Sequence, residues 1–338
     1  MTEPSTDHLD ATGEVDARTG LLTGATSRLV RSWRMAGIFI PFLILFVVLS
    51  IASQPFLHTT NLINILDQQA STLCIAAAGT LVLVAGGIDL SVGSTYAFAG
   101  VTAGEIGQHH SIVLAIAAAL LVGLLVGFVN GVIVTFFKIS PLITTLAMSY
   151  VIQGVALKIT SGNLVLTGTI PGFSSFANSQ FLTVPSAVWM TFAFVIVLAL
   201  LLSRTTFGRY VVAAGGNAEA ARLAGVRVNA IKIVAFTLSG GAAALGGVLD
   251  AGRLGSILAS SGGAALSFTV LAGIVVGGTS IAGGEGSVWR TAIGVLFIAL
   301  IGNGFDLFGI DPLYQPIVLG VILLIAVGLD MWTRRSRR

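Results

Sequence analysis

The sequence predicts an all-α, polytopic membrane protein built as a bundle of about ten transmembrane helices. Its 338 residues have a mean hydropathy of +0.97, with 55% hydrophobic and only 9% charged residues. Soluble domains carry about 25% charged residues, so this chain has too little polar surface to face water on all sides. Apolar runs of about twenty residues, the length that crosses a bilayer, recur along the chain. Together these observations exclude an ordinary soluble domain.

Ten apolar segments, separated by polar or glycine-rich stretches, are the predicted spans. They are Ala36–Ser53, Leu62–Val84, Leu90–Gly104, Ser111–Phe137, Pro141–Ile159, Ser186–Ser203, Ile231–Ala251, Leu266–Ile281, Val288–Gly304 and Leu313–Met331. Several spans carry glycines four residues apart, such as Gly123 and Gly127, or Gly273 and Gly277. Glycines at this spacing share one helix face and predict close packing of neighbouring helices.

Charge divides the chain into a tail, a membrane domain and a basic end. Residues 1–35 are polar and acidic before a basic stop, which predicts a disordered cytoplasmic tail rather than a cleaved signal peptide. Residues 36–333 form the membrane domain, including a loop at 204–230, and residues 334–338 form a basic C-terminus. All but two of the 17 Lys and Arg residues, Lys158 and Arg253, lie on one side of the predicted bundle. The positive-inside rule therefore predicts that both termini are cytoplasmic.

The loop at 204–230 is the longest arginine-rich interruption in the second half of the chain, and it predicts a short helix. Asn217 can cap the start, Glu219 lies in the first turn at the positive end of the helix dipole, and Gly225 is a fitting stop. The residues between them are good helix formers with a small apolar face. We expect a capped cytoplasmic helix of this kind to dock on a partner protein. The predicted docking residues are Glu219, Ala220, Ala221, Leu223 and Gly225.

A second motif follows the second span, where two glycines end one helix and polar residues can start the next. Asp89 or Ser91 can cap the third span, because a short polar side chain satisfies free amide donors at a helix N-terminus. The pattern predicts a sharp cytoplasmic re-entry in which Asp89 has a capping role. The residues of this motif are Gly87, Asp89, Ser91 and Gly93.

A short sequence pattern occurs twice in the chain and indicates an inverted repeat. Asn130-Gly131 precedes a Phe-x-Ile-x-Pro pattern that ends at Pro141, and Asn303-Gly304 precedes the same pattern ending at Pro312. The two copies lie five spans apart and so face opposite sides of the membrane. Transport sites tend to lie between the halves of such repeats. In-span polar residues that could line a pathway, or equally bond neighbouring helices, are Gln68, Gln69, Asn130, Gln153 and Asn303.

The sequence carries no catalytic motif. It has no metal-ligand spacing, serine-nucleophile elbow or nucleotide-binding loop, so we predict a non-enzyme with no cofactor and no metal. The basic residues lie in short loops, which argues against nucleic acid as a partner and for the bilayer. Asp67, Asp250 and Asp330 lie near span ends, where a proton relay would not place them. An ion-coupled secondary carrier is therefore the weaker alternative.

These motifs resemble the inner-membrane permeases of ATP-binding cassette importers, in particular the ribose/monosaccharide branch. Glu219-Ala220-Ala221-x-x-x-Gly225 is similar to the loop that docks on the ATPase subunit of these importers. Two further segments, Gly87–Gly93 and Gly277–Ser287, are similar to motifs of the sugar branch, as is Asn303-Gly304. The similarity extends from about Ile40 to the C-terminus.

The resemblance implies an import permease of a bacterial plasma membrane, with about ten helices per subunit. It also implies three kinds of protein partner: cytoplasmic ATP-binding cassette ATPases, an extracytoplasmic sugar-binding protein, and a second permease subunit in a homodimer or heterodimer. The expected cargo is a ribose-type monosaccharide. Because the same fold family includes branched-chain amino-acid permeases, an amino acid or another small solute is the alternative cargo.

Overall fold

The computed structural model describes residues 37–335 of the chain. The predicted tail at 1–35 and the last residues of the predicted basic C-terminus lie outside this range. Within it the chain forms 14 α-helices. In chain order they are α1 Phe39–Ala52, α2 Thr59–Gln68, α3 Ala70–Val84, α4 Val92–Gly107, α5 Ile112–Phe136, α6 Pro141–Thr160, α7 Phe173–Asn178, α8 Ser186–Arg204, α9 Thr206–Gly216, α10 Ala218–Leu223, α11 Val228–Leu254, α12 Gly263–Val276, α13 Val288–Phe308 and α14 Gln315–Arg335.

The helical membrane bundle predicted from the sequence is confirmed, with two differences in its spans. Five helices, α5, α6, α8, α11 and α13, are long and apolar enough to cross a membrane alone. Shorter apolar helices are α1, α3, α12 and the apolar stretch Pro312–Gly328, which includes the first part of α14. The predicted second span is broken at Gln69, which separates α2 from α3. The predicted third span begins two residues late, at Val92, after an extended segment. Both differences occur where polar residues interrupt the apolar run.

The centre of the bundle is α3, whose 15 residues are all buried. It is apolar on every side, as expected of a helix with no exposed face. The long helix α11 packs against α3, α4 and α5, and its buried residues are mostly alanine and glycine. Small side chains let these backbones approach closely, and large apolar side chains such as Phe236, Ile75 and Leu81 are fully buried in the same core.

Glycines form the contact between α5 and α11, as the four-residue spacing predicts. A Cβ atom at Gly123 would overlap the carbonyl oxygen of Gly240, and one at Gly127 would overlap that of Phe236. Gly273 and Gly277 of α12 lie in the same way against α13. The helix axes can take these separations only because these positions lack side chains.

The segment between α6 and α8 contains short strands that the all-α prediction did not include. β1 (Val165–Leu166) pairs antiparallel with β4 (Ser256–Ile257), and β2 (Gln180–Phe181) pairs with β3 (Val184–Pro185). The turn of the second pair holds Leu182 and Thr183 at positive φ, the backbone that two-residue hairpins need. The first pair joins loops that are far apart in sequence, which local patterns do not reveal.

Helices α4 and α12 meet at their N-terminal ends and run in opposite directions. A Cβ at Gly93 of α4 would overlap the carbonyl oxygen of Gly263, the first residue of α12. At its C-terminal part, α4 packs at Gly104 against Val165 of β1. The segment that follows α12 instead contacts the 204–230 loop, where Gly284 lies against Gly216. These helices are the third and eighth spans, five apart, so their antiparallel pairing has the arrangement expected of an inverted repeat.

We predict that Gly127→Ala destabilises the protein by about 1–3 kcal/mol, because the added methyl group must push apart two backbones that are in contact. Gly154→Ala is the matched control, since a Cβ at Gly154 of α6 meets nothing within 4 Å. We expect this control to leave stability unchanged or to raise it by about 0.5–1 kcal/mol, as alanine is the better helix former. Thermal unfolding in detergent measures both changes. Equal unfolding temperatures for the two variants would contradict the packing described here.

Candidate functional site

The predicted docking helix is present as α10 and has the caps that the sequence indicates. The Asn217 side-chain oxygen accepts hydrogen bonds from the backbone N–H groups of Glu219 (3.1 Å) and Ala220 (3.0 Å). At the other end Gly225 has φ +84°, and the N–H of Val226 donates to the carbonyl of Ala221 at 2.9 Å. This is the glycine-terminated helix end, in which a residue with left-handed backbone lets backbone N–H groups after the helix donate to its last carbonyl groups.

Most of the predicted docking residues lie on the surface of α10. Leu223 is 84% exposed, and the Glu219 carboxylate and the Arg222 guanidinium form an exposed ion pair at 3.3 Å. Ala220 and Gly225 are also exposed. Ala221 is different: it is 5% exposed and packs in an apolar cluster with Ala214 and Val228. Ala221 therefore anchors α10 to its neighbours rather than facing a partner.

The first half of the same loop forms a further helix, α9, which was not predicted from the sequence. Thr205 caps this helix by accepting a hydrogen bond from the N–H of Gly208 at 3.2 Å. The signal was present, since Thr205 precedes a run with one apolar face, but only the centre of this arginine-rich loop, Asn217–Gly225, was predicted as a helix. The end of α9 leads directly into α10, so the two helices connect the exposed surface to the bundle.

Near its C-terminal end, at Gly215, α9 contacts the membrane bundle through backbone. A Cβ at Gly215 would overlap the carbonyl oxygen of Val84, the last residue of α3. The same carbonyl accepts a hydrogen bond from the N–H of Gly284 at 2.8 Å. Gly283 in turn lies against Gly86, where a Cβ would be 2.9 Å from the Gly86 Cα. We call this set (Val84, Gly86, Gly215, Gly283 and Gly284) the glycine junction.

The extended segment that follows the glycine junction carries the predicted capping residues. Asp89 accepts hydrogen bonds through one carboxylate oxygen from the Ser91 N–H (3.0 Å) and the Ser91 hydroxyl (2.6 Å). Its other oxygen accepts from the Ser239 hydroxyl at 2.8 Å. Ser239 lies eleven residues into α11, which at 1.5 Å per residue is about 16 Å from the start of that helix. The segment therefore passes deep into the bundle instead of turning at its surface.

The Gly93 amide of α4 and the backbone of Leu90 just before this helix are capped from other helices, which corrects the expectation that Asp89 or Ser91 would cap α4. The Ser267 hydroxyl of α12 accepts from the Gly93 N–H at 3.1 Å and donates to the Leu90 carbonyl at 2.9 Å. The Thr145 hydroxyl of α6 accepts from the Leu90 N–H at 3.0 Å. Asp89 satisfies only the N–H of Ser91 before the helix begins. The sequence indicates where a cap is needed but not which residues supply it, because those residues lie on distant spans.

Three of the five predicted pathway residues line one large cavity. Gln68, Gln69 and Asn303 border a cavity of about 780 Å³ between α2, α12, α13 and α14. Asn303 also exchanges two hydrogen bonds with Asn61 of α2, at 2.8 and 3.2 Å, which tie the two walls together.

The other two predicted pathway residues do not line this cavity. Asn130 is fully buried in α5, where its amide donates to the Ser91 hydroxyl at 2.8 Å. It therefore joins α5 to the start of α4, which is the helix-bonding alternative considered from the sequence. Gln153 is half-buried on α6, outside the cavity lining.

Comparison with known proteins is consistent with this geometry. Residues 61–327 match the family described as the permease component of branched-chain amino acid transport systems. The ribose import permease RbsC of Escherichia coli strain K12 is 38% identical over 295 residues, which is 86% of this chain and 92% of that protein. RbsC of Bacillus subtilis strain 168 is 40% identical over 297 residues, covering 87% and 92%. The L-arabinose permease AraH of Azospirillum brasilense is 37% identical over 306 residues, covering 90% and 89%.

No solved structure matches the chain. The family match covers most of the sequence, including the cavity, the glycine junction and the docking helix. The protein is thus a multi-pass membrane protein, and it belongs to the family of permease components of branched-chain amino acid transport systems.

Proposed function

We propose that the protein is the translocation subunit of an ATP-binding cassette importer that carries a monosaccharide of the ribose or arabinose type across the bacterial plasma membrane. The observation that carries this proposal is the capped, exposed helix α10, joined through α9 and the glycine junction to the extended segment that precedes α4. The named relatives, permeases for ribose and for L-arabinose, supply the substrate class.

In this proposal separate ATPase subunits move α10, and the bundle follows. The docking surface consists of Glu219, Ala220, Leu223 and Gly225 on the cytoplasmic side, with Ala221 as its anchor. Movement of α9 reaches α3 directly, because Gly215 and Val84 are in backbone contact with no side chain between them. Packed interfaces of this kind shift between discrete arrangements instead of deforming smoothly. The glycine junction is therefore the step at which ATP-driven movement enters the membrane domain.

The remaining partners follow from the same proposal. An extracytoplasmic sugar-binding protein delivers the cargo to the side that carries β1, β4 and the uncharged segment Thr160–Pro185. A second permease subunit completes the pathway. The distribution of Lys and Arg supports cytoplasmic termini, with 36–333 as the permease domain, 1–35 as the tail and 334–338 as the basic end.

A secondary carrier driven by an ion gradient is the alternative from another class, and the pairing of Asp250 argues against a coupling role for that carboxylate. Asp250 is paired with Arg253 at 2.9 Å and accepts a hydrogen bond from the Tyr96 hydroxyl at 2.8 Å. A carboxylate held in this way is already compensated and has no reason to exchange a proton or cation during transport.

Reconstitution tests the proposal as a whole. The permease in proteoliposomes with its ATPase subunits and binding protein is expected to take up labelled ribose or arabinose only when ATP is enclosed with the ATPases. The permease alone, given a proton or sodium gradient, is expected to take up none. Gradient-driven uptake by the permease alone would support the carrier instead.

We predict that Leu223→Gln weakens retention of the ATPase subunits about tenfold or more, because burying a leucine side chain is worth about 1.5–3 kcal/mol. Leu313→Gln is the matched control: Leu313 is 79% exposed but lies at the opposite end of the bundle. Co-purification with the ATPase subunits at a series of detergent and salt concentrations measures both. Equal retention by the two variants would remove α10 as the docking surface.

We predict that Gly215→Ala lowers ATP-dependent uptake about tenfold, because the steric cost of about 1–3 kcal/mol falls on the contact that transmits the movement. Gly216→Ala is the matched control, since its Cβ would be an ordinary 3.9 Å from the Gly284 Cα. ATPase retention is expected to be normal in both variants, so the loss lies in coupling and not in assembly. Uptake that is unchanged by Gly215→Ala, in protein that folds normally, would argue against the glycine junction.

A further inference from the structure

We infer that the cavity of about 780 Å³ between α2, α12, α13 and α14 binds a neutral, polyhydroxylated solute, and that Asp306 and Gln315 are its specificity-determining residues. The sequence analysis singled out neither of these two residues. The inference rests on the proposed function and deepens it, since it names the groups that would recognise a sugar.

Six polar side chains line this cavity, namely Gln68, Gln69, Thr269, Asn303, Asp306 and Gln315. Four of them, the two glutamines, Asp306 and Gln315, come from three parts of the chain. Gln68 ends α2 and Gln69 forms the break after it, Asp306 lies two residues before the end of α13, and Gln315 begins α14. In the part of the chain that the structure describes, none of these four side chains has a hydrogen-bond partner. Polar groups within a membrane domain that lack internal partners point to a water-filled or ligand-filled space.

The other two polar groups of the wall are already occupied. The Thr269 hydroxyl donates to the Ala265 carbonyl of its own helix at 3.0 Å. Asn303 bonds Asn61 in both directions, which uses its amide and its carbonyl oxygen. Asn303 therefore positions α13 against α2, and the groups left to meet a ligand are those of the two glutamines at the α2–α3 break, Asp306 and Gln315. Gly302, next to Asn303, leaves room for the Gln315 amide, whose atoms would lie 3.9 and 4.0 Å from a Cβ there.

The chemistry of these groups matches a sugar. Each carboxamide both donates and accepts, and a carboxylate accepts two hydrogen bonds, which suits a ring of hydroxyl groups that each do both. The ring of Phe268, 46% exposed, borders the same space and offers an apolar surface to the C–H face of a sugar. A cavity of this size lies within the range of small-molecule sites, about 300–1,000 Å³.

The same lining disfavours the alternative cargo, an amino acid. A zwitterion brings a carboxylate that needs a cationic or strongly donating partner, and burying it without one is costly. No Lys, Arg or His is among the described residues that line the cavity, and Asp306 adds a negative charge. The cavity therefore selects against the carboxylate of a branched-chain amino acid and for a neutral solute.

The test uses the complete transporter in proteoliposomes, with labelled ribose and arabinose as the probes. Asp306→Asn is expected to lower pentose uptake at sub-saturating concentration about tenfold, because hydrogen bonds to a charged group are the stronger ones. Asp311→Asn is the matched control five residues later: Asp311 only caps a short turn by accepting from the Leu313 N–H at 2.9 Å, and asparagine caps equally well. ATPase retention, ATP hydrolysis stimulated by the binding protein and thermal unfolding are expected to be unchanged in both.

A second variant controls for misfolding, and a labelling experiment tests whether something other than a sugar fills the cavity. Gln315→Met keeps the length and flexibility of the side chain and is expected to reduce uptake as well. Gln68→Cys is expected to react with an impermeant thiol reagent and to lose uptake on reaction, with little background because the natural Cys74 is buried. A cysteine at this position that stays unreactive would show the cavity filled by a second permease subunit and would overturn the inference.

The outcomes separate this inference from the proposed function. If the unaltered transporter takes up pentoses and Asp306→Asn and Gln315→Met do so at the same rate, the sugar site is refuted while the proposed function stands. If the unaltered transporter takes up neither pentose, the proposed function itself fails.

Discussion

The structure depends on one constraint: backbone that is not helical must find hydrogen-bond partners inside the membrane domain. The chain between α3 and α4 is extended and deeply placed, so each free amide or carbonyl there would cost several kcal/mol without a partner. Ser267 meets two of these groups and Thr145 meets another. Because the partners come from α12 and α6, this extended segment is stable only when the bundle is assembled around it.

Close backbone contact is the second feature on which the structure depends. It links α9 and α10 to the extended segment between α3 and α4. Gly215 touches the last residue of α3, and Gly283 and Gly284 close the contact from the other side. From this point the chain continues within a few residues to Asp89, which binds Ser239 of α11. A displacement of α10 can thus be transmitted to the centre of the bundle over a short distance and through rigid backbone contacts. Flexible side chains would absorb part of such a displacement, whereas direct backbone contact transmits it.

The protein divides its tasks between separate regions. In the proposed function, the exposed surface of α10 accepts the ATPase subunits, the glycine junction carries the movement, and the cavity between α2, α12, α13 and α14 provides hydrogen bonds to the cargo. The internal charge of Asp250 is compensated by Arg253. This division fits a subunit that has no energy source of its own and that must release its cargo as readily as it receives it.

The sequence by itself determined the helical class, several of the apolar spans, the capped helix α10, and the glycine faces of α5 and α12. Those features depend on composition, on runs of apolar residues and on caps within a few residues, all of which are local. Tertiary structure alone decided the partners of Gly93 and Leu90, the glycine junction, the burial of Ala221 and Asn130, and the gathering of Gln68 with Asp306 and Gln315. These features join residues far apart in the chain, and no local pattern specifies which distant helix will supply a hydroxyl group or leave room for a backbone.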